Sequence, residues 1–453
     1  MSSQNAREYI QAIMKKIKFK DFDEPEFLQT VEEFLNSMEP FFEQRPDFIE
    51  ANLLERFLEP ERQFLFKVPW IDDKGNYKVN RGYRIQFNGA IGPYKGGLRF
   101  HPTVDLNIMK FLSFEQTLKN SLTGLPIGGG KGGADFNPAG KSDNEILRFC
   151  ENFMLELYKH IGRDIDVPAG DIGVGAREIG YLFGIYRRIK GSFENGVMTG
   201  KGLSFGGSIL RPEATGYGVT YFANEMLTHR NDSIKDKTVV VSGYGQVAWG
   251  VCKKMEELGA KVVTLSGPDG YIYDTDGVSG EKVDFMVDLL KRNKGAGIKE
   301  YADKYNVPFY PSKKPFEIKA DIIVPAAIEN DIKIVDAKKI VANGVKYVVE
   351  AANMPCSNES EDYFVANNVF VGPSKAANAG GVAVSALEMS QNSMRLAWTA
   401  EEVDTRLKQI MKDIFNNSLN AAIKYGFGEN LIAGANIAGF EKVSNAMMAQ
   451  GYY

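Results

Sequence analysis

The chain has 453 residues, 44% of them hydrophobic and 25% charged, with a formal net charge of −4. That length is too great for one ordinary core and predicts two or three domains. The slightly acidic balance argues against nucleic-acid or membrane-surface binding through overall charge.

The N-terminal stretch MSSQNAREYIQAIMKKIKFKDFDEPEF mixes both charge signs. It lacks the apolar run of a signal peptide and the acid-poor bias of a transit peptide. No later stretch has the length of uncharged apolar residues a membrane span needs, so a soluble cytoplasmic protein is expected. Cys150, Cys252 and Cys356 are far apart and show no paired spacing. No disulfide framework or zinc motif can be read from them, and three scattered histidines give no metal site.

Residues 26–58 carry helical periodicity through Phe27, Val31, Phe34, Leu35, Phe48, Leu53, Leu54 and Phe57. Two strands follow, QFLFKVPWI and RGYRIQFNGA, separated by the turn-like DDKGN. Residues 107–122 and 143–160 read as helices. LPIGGGKGGAD, residues 125–135, sets Lys131 among five glycines and reads as a glycine-rich loop. GKGLSFGGSILRPEATGYG, residues 200–218, reads as a boundary or hinge. Beyond it TVVVSGYG, AKVVTLSG, ADIIVPAA, VKYVVEAAN and NVFVGPSK alternate with helical stretches. That alternation predicts a doubly wound parallel sheet. From about residue 380 the chain is largely helical. The fold class is therefore α/β with two domains.

VVVSGYGQVAWG contains Gly243, Gly245 and Ala248 in the G-x-G-x-x-A form, after a strand and at the start of a helix. In that context the glycines admit a pyrophosphate and the helix N-terminus offers free N–H groups and partial positive charge. A tight strand-to-helix turn with no ligand is the alternative. Gly128, Gly130 and Gly133 also fit the spacing, but no buried strand precedes them. Lys131 is followed by glycine, where a phosphate loop needs Ser or Thr.

Three lysines stand out. Lys95 lies in GPYKGGLRFHP beside glycines, and Lys119 lies at the edge of an apolar helix face with Gln116 on the same side. Lys131 is the third. Solvated surface lysines are the alternative for each. DVPAGDIGVGAREIG places Asp171 in a Pro/Gly-framed loop before a helix. It is either a turn or cap carboxylate or, beside a lysine cluster, a proton carrier.

GPYKGGLRFHP, EQTLKNSLTGLPIGGGKGGADF, DVPAGDIGVGAREIGYLFGIY, RPEATGYG and KAANAGGVAVSALEMSQN together resemble the hexameric glutamate dehydrogenases, in the right order over nearly the whole chain. The resemblance implies reversible oxidative deamination of L-glutamate to 2-oxoglutarate and ammonium with NAD(P). Lys131 is then similar to the catalytic lysine that activates water, and Asp171 to the proton-shuttling carboxylate. Gln116, Lys119 and the Gly170 backbone match positions that hold the amino acid. Lys95 and Ser385 match the pair that grips the side-chain carboxylate, with Arg211 and Asn378 supporting the pocket. Thr215, Gln246 and Asn353 match cofactor contacts, beside Gly243, Gly245, Val247 and Ala248 of the fingerprint.

The same resemblance implies a homohexamer. Residues 1–205, with the C-terminal helix 429–453, would form the substrate-binding and oligomerisation domain, and 206–428 a Rossmann-type nucleotide domain. A dehydrogenase of leucine, phenylalanine or valine is the nearest alternative, but Lys95 and Ser385 favour a second substrate carboxylate. A non-catalytic nucleotide-binding scaffold would have lost Lys131 or Asp171.

Two features pull cofactor choice apart. Asp269, after the second nucleotide-domain strand, suits the ribose hydroxyls of NAD, while Ser266 and Gly267 are small enough for a 2′-phosphate. Lys291 and Lys294 resemble the basic pair of NADP-using members, although cations at an exposed helix end are favourable anyway. NADP is the expected cofactor, with NAD possible.

Overall fold

The computed structural model describes residues 5–292 and 297–451. They fall into two compact units. The first comprises Met1–Ile209, Val384–Val403 and Asn436–Tyr453, the second Leu210–Ala383 and Asp404–Ala435. The boundary expected at 205/206 thus falls at Ile209/Leu210, inside the predicted hinge. Val384–Val403, expected in the nucleotide domain, groups with the first unit. The reason is local: Asn392 donates to the Gly206 carbonyl at 2.6 Å and Gln391 to Ser208 Oγ at 2.9 Å.

The first unit opens with five helices: α1 (Ala6–Lys20), α2 (Pro25–Leu35), α3 (Glu39–Gln44), α4 (Pro46–Glu50) and α5 (Leu53–Leu58). The sequence reading covers the last four and passes over α1, although Tyr9, Ile13 and Ile17 recur at every fourth residue and are buried. Phe34, Phe41, Phe42 and Phe57 meet Phe440 of the C-terminal helix, with ring centroids 4.9–5.7 Å apart. These rings fasten that helix to this unit.

A five-stranded sheet follows: β1 (Arg62–Ile71), β2 (Tyr77–Asn88), β3 (Tyr94–Phe100), β4 (Gly128–Ala134) and β5 (Asp166–Gly170). Their order is β1-β2-β4-β3-β5. β1, β2 and β4 pair antiparallel, whereas β3 runs parallel to both β4 and β5. Helices α6 (Leu106–Leu122), α7 (Asp143–Leu157) and α8 (Ala176–Lys190) also lie in this unit. Phe100, Phe136, Phe149 and Phe153 lie in its second core, against α7 and α8.

The glycine-rich loop of the sequence reading is therefore a strand. All seven residues of β4 are buried. Glycine has low strand propensity, but here close packing selects it. A Cβ on Gly129 would overlap Thr117 of α6, and one on Gly132 would stand 2.7 Å from the Tyr83 carbonyl oxygen of β2. Lys95, beside glycines in the sequence, lies on β3, where a Cβ on Gly96 would likewise overlap Gly130 O.

Arg84 on β2 and Asp166 on β5 form a fully buried ion pair. Arg84 Nε donates to Asp166 Oδ2 at 2.8 Å, and Gln86 Nε2 donates to the same oxygen at 3.1 Å. Asp166→Leu strands the guanidinium without its carboxylate. Urea denaturation is expected to show a loss of about 3–5 kcal/mol. Wild-type stability in that variant would show that Gly96 O, which Arg84 Nη1 also reaches at 3.2 Å, satisfies the cation alone.

The second unit contains α9 (Ala214–His229) and a seven-stranded sheet: β6 (Thr238–Ser242), β7 (Lys261–Gly267), β8 (Gly270–Tyr273), β9 (Phe309–Pro311), β10 (Ile322–Pro325), β11 (Tyr347–Val349) and β12 (Phe370–Gly372). Its order is β12-β11-β10-β6-β7-β8-β9. The five strands from β12 to β7 are parallel, as the sequence predicts. β8 and β9 extend the sheet antiparallel, a hairpin extension that was not expected. Helices α10 (Gln246–Glu257), α11 (Glu281–Arg292), α12 (Lys299–Tyr305), α13 (Ile334–Ala342) and α14 (Asn358–Ala366) connect the strands, and α15 (Ser374–Ala377) follows the last of them. The order reverses around β6, which makes its C-terminal end the switch point where such sheets bind ligands. The chain closes with α16 (Gly380–Met394), α17 (Ala400–Lys424) and α18 (Leu431–Ala449). No helix among the described residues is long and apolar enough to cross a membrane.

Candidate active site

In the first unit, β3, β4 and β5 bring the singled-out groups together. Lys95 pairs with Gly129 and Arg99 with Gly133 across β3 and β4. Lys131 falls midway, so the two-residue period puts Lys95, Arg99 and Lys131 on one face. β5 ends at Gly170 and delivers Asp171 beside them. A Cβ on Gly97 would stand 2.8 Å from Asp171 Cβ, so glycine there admits the aspartate.

Lys131 Nζ lies 3.2 Å from Asp171 Oδ2, and Arg99 Nε donates to the same oxygen at 2.9 Å. The Lys131 side chain is 6% exposed and that of Asp171 20%. Burial lowers the Lys131 pKa, and the Asp171 carboxylate opposes that while Arg99 and Arg84 add to it. Burial is the main cause, and the neighbouring cations that add to it are guanidinium groups, not lysines. For Asp171, burial pushes the pKa up, but Lys131 and Arg99 outweigh it and bring it to about 2. The carboxylate is thus ionised at neutral pH beside an amine that gives up its proton more readily than usual.

Lys95 is fully buried. Its Nζ donates to Val167 O at 3.0 Å and to Thr199 Oγ1 at 2.7 Å. Gln116 and Lys119 are half-buried on α6. Asn120, next to Lys119, donates to the Lys95 carbonyl at 2.9 Å and to that of Gly128, tying α6 to β3 and β4. Ser385 is buried on α16 within this unit.

Sequence reasoning missed Arg99, Thr199 and Asn120. Arg99 stands inside the quoted GPYKGGLRFHP, four residues after Lys95 on the same strand face, so the strand period held a signal. Nothing local marked Thr199, whose partner is 104 residues away.

In the second unit the fingerprint has the predicted context. Gly243 adopts φ +89°, which glycine allows. Its N–H donates to Ser266 Oγ at 2.8 Å. Ser266 therefore braces the turn rather than merely leaving room for a phosphate. Gly245 caps the N-terminus of α10, and a Cβ there would meet no atom within 4 Å. Open space before a twelve-residue helix N-terminus fits a dinucleotide pyrophosphate. Gln246 is exposed and donates to Pro212 O at 3.1 Å, Val247 is half-buried, and Ala248 is fully buried.

Asn378 Nδ2 donates to Asn353 Oδ1 at 3.2 Å and to Ala352 O at 3.2 Å. Its own Oδ1 is buried without a hydrogen-bond partner among the described residues, an acceptor available to a ligand donor. Three residues on, a Cβ at Gly381 would lie 2.5 Å from Thr215 Oγ1 and 3.6 Å from Arg211 Nη1. Arg211, Thr215, Asn353 and Asn378 thus gather beside the start of α16.

Asp269 lies in the tight turn between β7 and β8. Its carboxylate accepts from Ile298 N and Lys299 N, each at 3.2 Å, at the start of α12. The acid read as a ribose ligand is thus already engaged in holding a helix end. Lys294 and the Lys291 side chain lie outside the described residues.

Comparison with known proteins agrees with both halves of this arrangement. Residues 206–451 match the model of the Glutamate/Leucine/Phenylalanine/Valine dehydrogenase family, and residues 60–188 match the Glu/Leu/Phe/Val dehydrogenase dimerisation domain. The chain belongs to this dehydrogenase family. An NAD-specific glutamate dehydrogenase from Clostridium symbiosum is 59% identical over 98% of this chain and 99% of its own. An NADP-specific glutamate dehydrogenase from Haemophilus influenzae is 52% identical over 98% and 99%. A solved glutamate dehydrogenase structure superposes with a TM-score of 0.96 at 58% identity, covering 98% of this chain and 99% of that one. The two-domain α/β organisation is that of the family. Its curated members carry NAD-specific, NADP-specific and NAD(P)-specific names, a spread with which NADP as favoured cofactor and NAD as an alternative is consistent.

Proposed function

We propose that the chain catalyses the reversible oxidative deamination of L-glutamate to 2-oxoglutarate and ammonium, with NADP favoured and NAD accepted. The observation that carries this is the contact of Lys131 with Asp171 beside the fully buried Lys95. One pair does proton chemistry, and a separate desolvated cation reads a second carboxylate. The nicotinamide, when bound, accepts hydride from the substrate Cα. Lys131, as the neutral amine, takes a proton from the water that adds to the resulting imine. Asp171, ionised and partly exposed, moves protons to and from the amino nitrogen. Lys95 with Ser385 holds the side-chain carboxylate, while Gln116, Lys119 and the Gly170 backbone orient the amino acid. Arg211 and Asn378 support that pocket. The dinucleotide lies on Gly243, Gly245, Gln246, Val247 and Ala248, with Thr215, Asn353, Ser266 and Asp269 around it. The test follows nicotinamide absorbance with glutamate, leucine and phenylalanine in turn. Turnover of glutamate far above the other two is expected, and the reverse order overturns the assignment.

A homohexamer in the cytoplasm completes the reading. The dimerisation-domain match and the edge strand β1, whose Leu65 is 61% exposed, support self-association, and light scattering reads the subunit number.

The cofactor preference has its own test. Neutralising Lys291 and Lys294 together is expected to raise the KM for NADP on the order of tenfold, equivalent to about 1.4 kcal/mol, and to leave NAD nearly unchanged. Asp269→Ser favours NADP further, and it also removes the two N–H acceptors at the start of α12. Wild-type protein that reduces NAD efficiently and shows no turnover with NADP would make Asp269 the deciding residue and sink the preference.

A further inference from the structure

One fully buried ion pair in the first unit has no part in the chemistry above. Lys201 Nζ donates to Glu388 Oε1 at 2.6 Å, with both side chains wholly inaccessible. The lysine also donates to Asn392 Oδ1 at 2.9 Å and to the Met198 carbonyl. The second glutamate oxygen, Oε2, accepts from Gly200 N at 2.9 Å. The bonds to Glu388 and Asn392 join residues 198–201 to α16, and the one to the Met198 carbonyl holds the lysine within its own segment.

Both ends of that link lead to the side-chain pocket. Thr199 stands between Met198 and Gly200, and its Oγ1 accepts from Lys95 Nζ. Its N–H donates to Pro168 O at 3.0 Å, which holds the segment on β5. On the other side, Ser385 precedes Glu388 by three residues on α16, hence on the same helix face. A buried pair of this kind is a weak source of stability, because apolar residues of similar volume do as well or better. What it supplies here is distance and orientation.

We propose that Glu388, paired with Lys201, is a positioning residue for substrate selection. It fastens the segment carrying Thr199 to the helix carrying Ser385, and so fixes the width of the pocket that reads the distal carboxylate. This rests on the reading of Lys95 and Ser385 as the carboxylate grip.

Glu388→Gln keeps the shape but weakens the link to Lys201. The double variant Lys201→Met with Glu388→Leu removes both buried charges and serves where the single variant folds poorly. In either, kcat/KM is measured for glutamate and for norvaline, which lacks the distal carboxylate. Misplacement of a binding group by a fraction of an ångström to one ångström costs up to about a hundredfold. The glutamate value is expected to fall at least about tenfold, mainly through KM, with norvaline changed less than about twofold. Glu388→Asp, tested beside them, restores part of the glutamate preference. An equal fall for both substrates, or an unchanged ratio in a folded variant, overturns the proposal. Lys95→Leu separates the two levels. If that change also leaves the glutamate-to-norvaline ratio intact, the carboxylate grip itself is misassigned. If it collapses the ratio while the Glu388 variants do not, only the positioning role falls.

Discussion

Asp171→Asn is expected to lower kcat for glutamate by at least about a hundredfold, the usual scale of general acid–base catalysis, while dinucleotide binding survives. The amide keeps the shape and can still accept from Arg99, but it cannot carry a proton. A second effect has a definite sign. The carboxylate beside Lys131 favours the ammonium form, and its loss lowers the lysine pKa further. The acidic limb of the kcat/KM profile for glutamate oxidation, where Lys131 must be neutral, therefore moves to lower pH as the plateau drops. Arg99→Met has the opposite sign. Arg99 disfavours the ammonium, so its removal raises the lysine pKa and carries the limb to higher pH. A variant of Asp171 that keeps most of its turnover removes that residue from the mechanism.

Lys95→Leu is expected to weaken glutamate binding by about 2–5 kcal/mol, the range for loss of one partner in a desolvated charge pair. The ammonium is fully buried between Val167 O and Thr199 Oγ1, where water screens little. Apolar amino acids lose far less and can gain, since leucine presents a matching surface. Glutamate and norleucine are compared by steady-state kinetics. Equal loss for both would show that Lys95 supports the sheet and does not read the side chain.

Much of this was legible in the residues. The nucleotide fingerprint was clear because strand, glycine turn and helix are contiguous, and Gly243 to Ala248 carry their own context. Lys131 and Asp171 stood out through the company they keep in the chain. β4 was not legible as a strand. Glycine is depleted in strands, and only the close approach of Thr117 and of the Tyr83 carbonyl in the folded chain explains its use. Arg99 and Thr199 gained their roles through partners 72 and 104 residues away, which no local pattern reports. Asp269 was read by its distance from a strand, whereas its carboxylate serves a helix end 29 residues on. The grouping of Val384–Val403 with the first unit has the same origin, because the bonds that hold Asn392 and Gln391 there span more than 180 residues.

β4 also bears on the order in which the molecule assembles. A strand with five glycines among its seven residues has few side chains with which to hold a partner early, and its backbone loses the most entropy when it is fixed. β2, β3 and α6 supply the walls between which it lies, so they must be in place before it can settle. Its pairing with β2, which joins Tyr83 to Gly133, closes a long loop, and closing such loops is slow. We therefore expect the burial that lowers the Lys131 pKa to arise late in folding. Chains arrested before that step would carry an ordinary, fully protonated lysine at this position, with the fingerprint in the other unit already able to form. Recovery of catalysis on refolding would then lag behind recovery of dinucleotide binding.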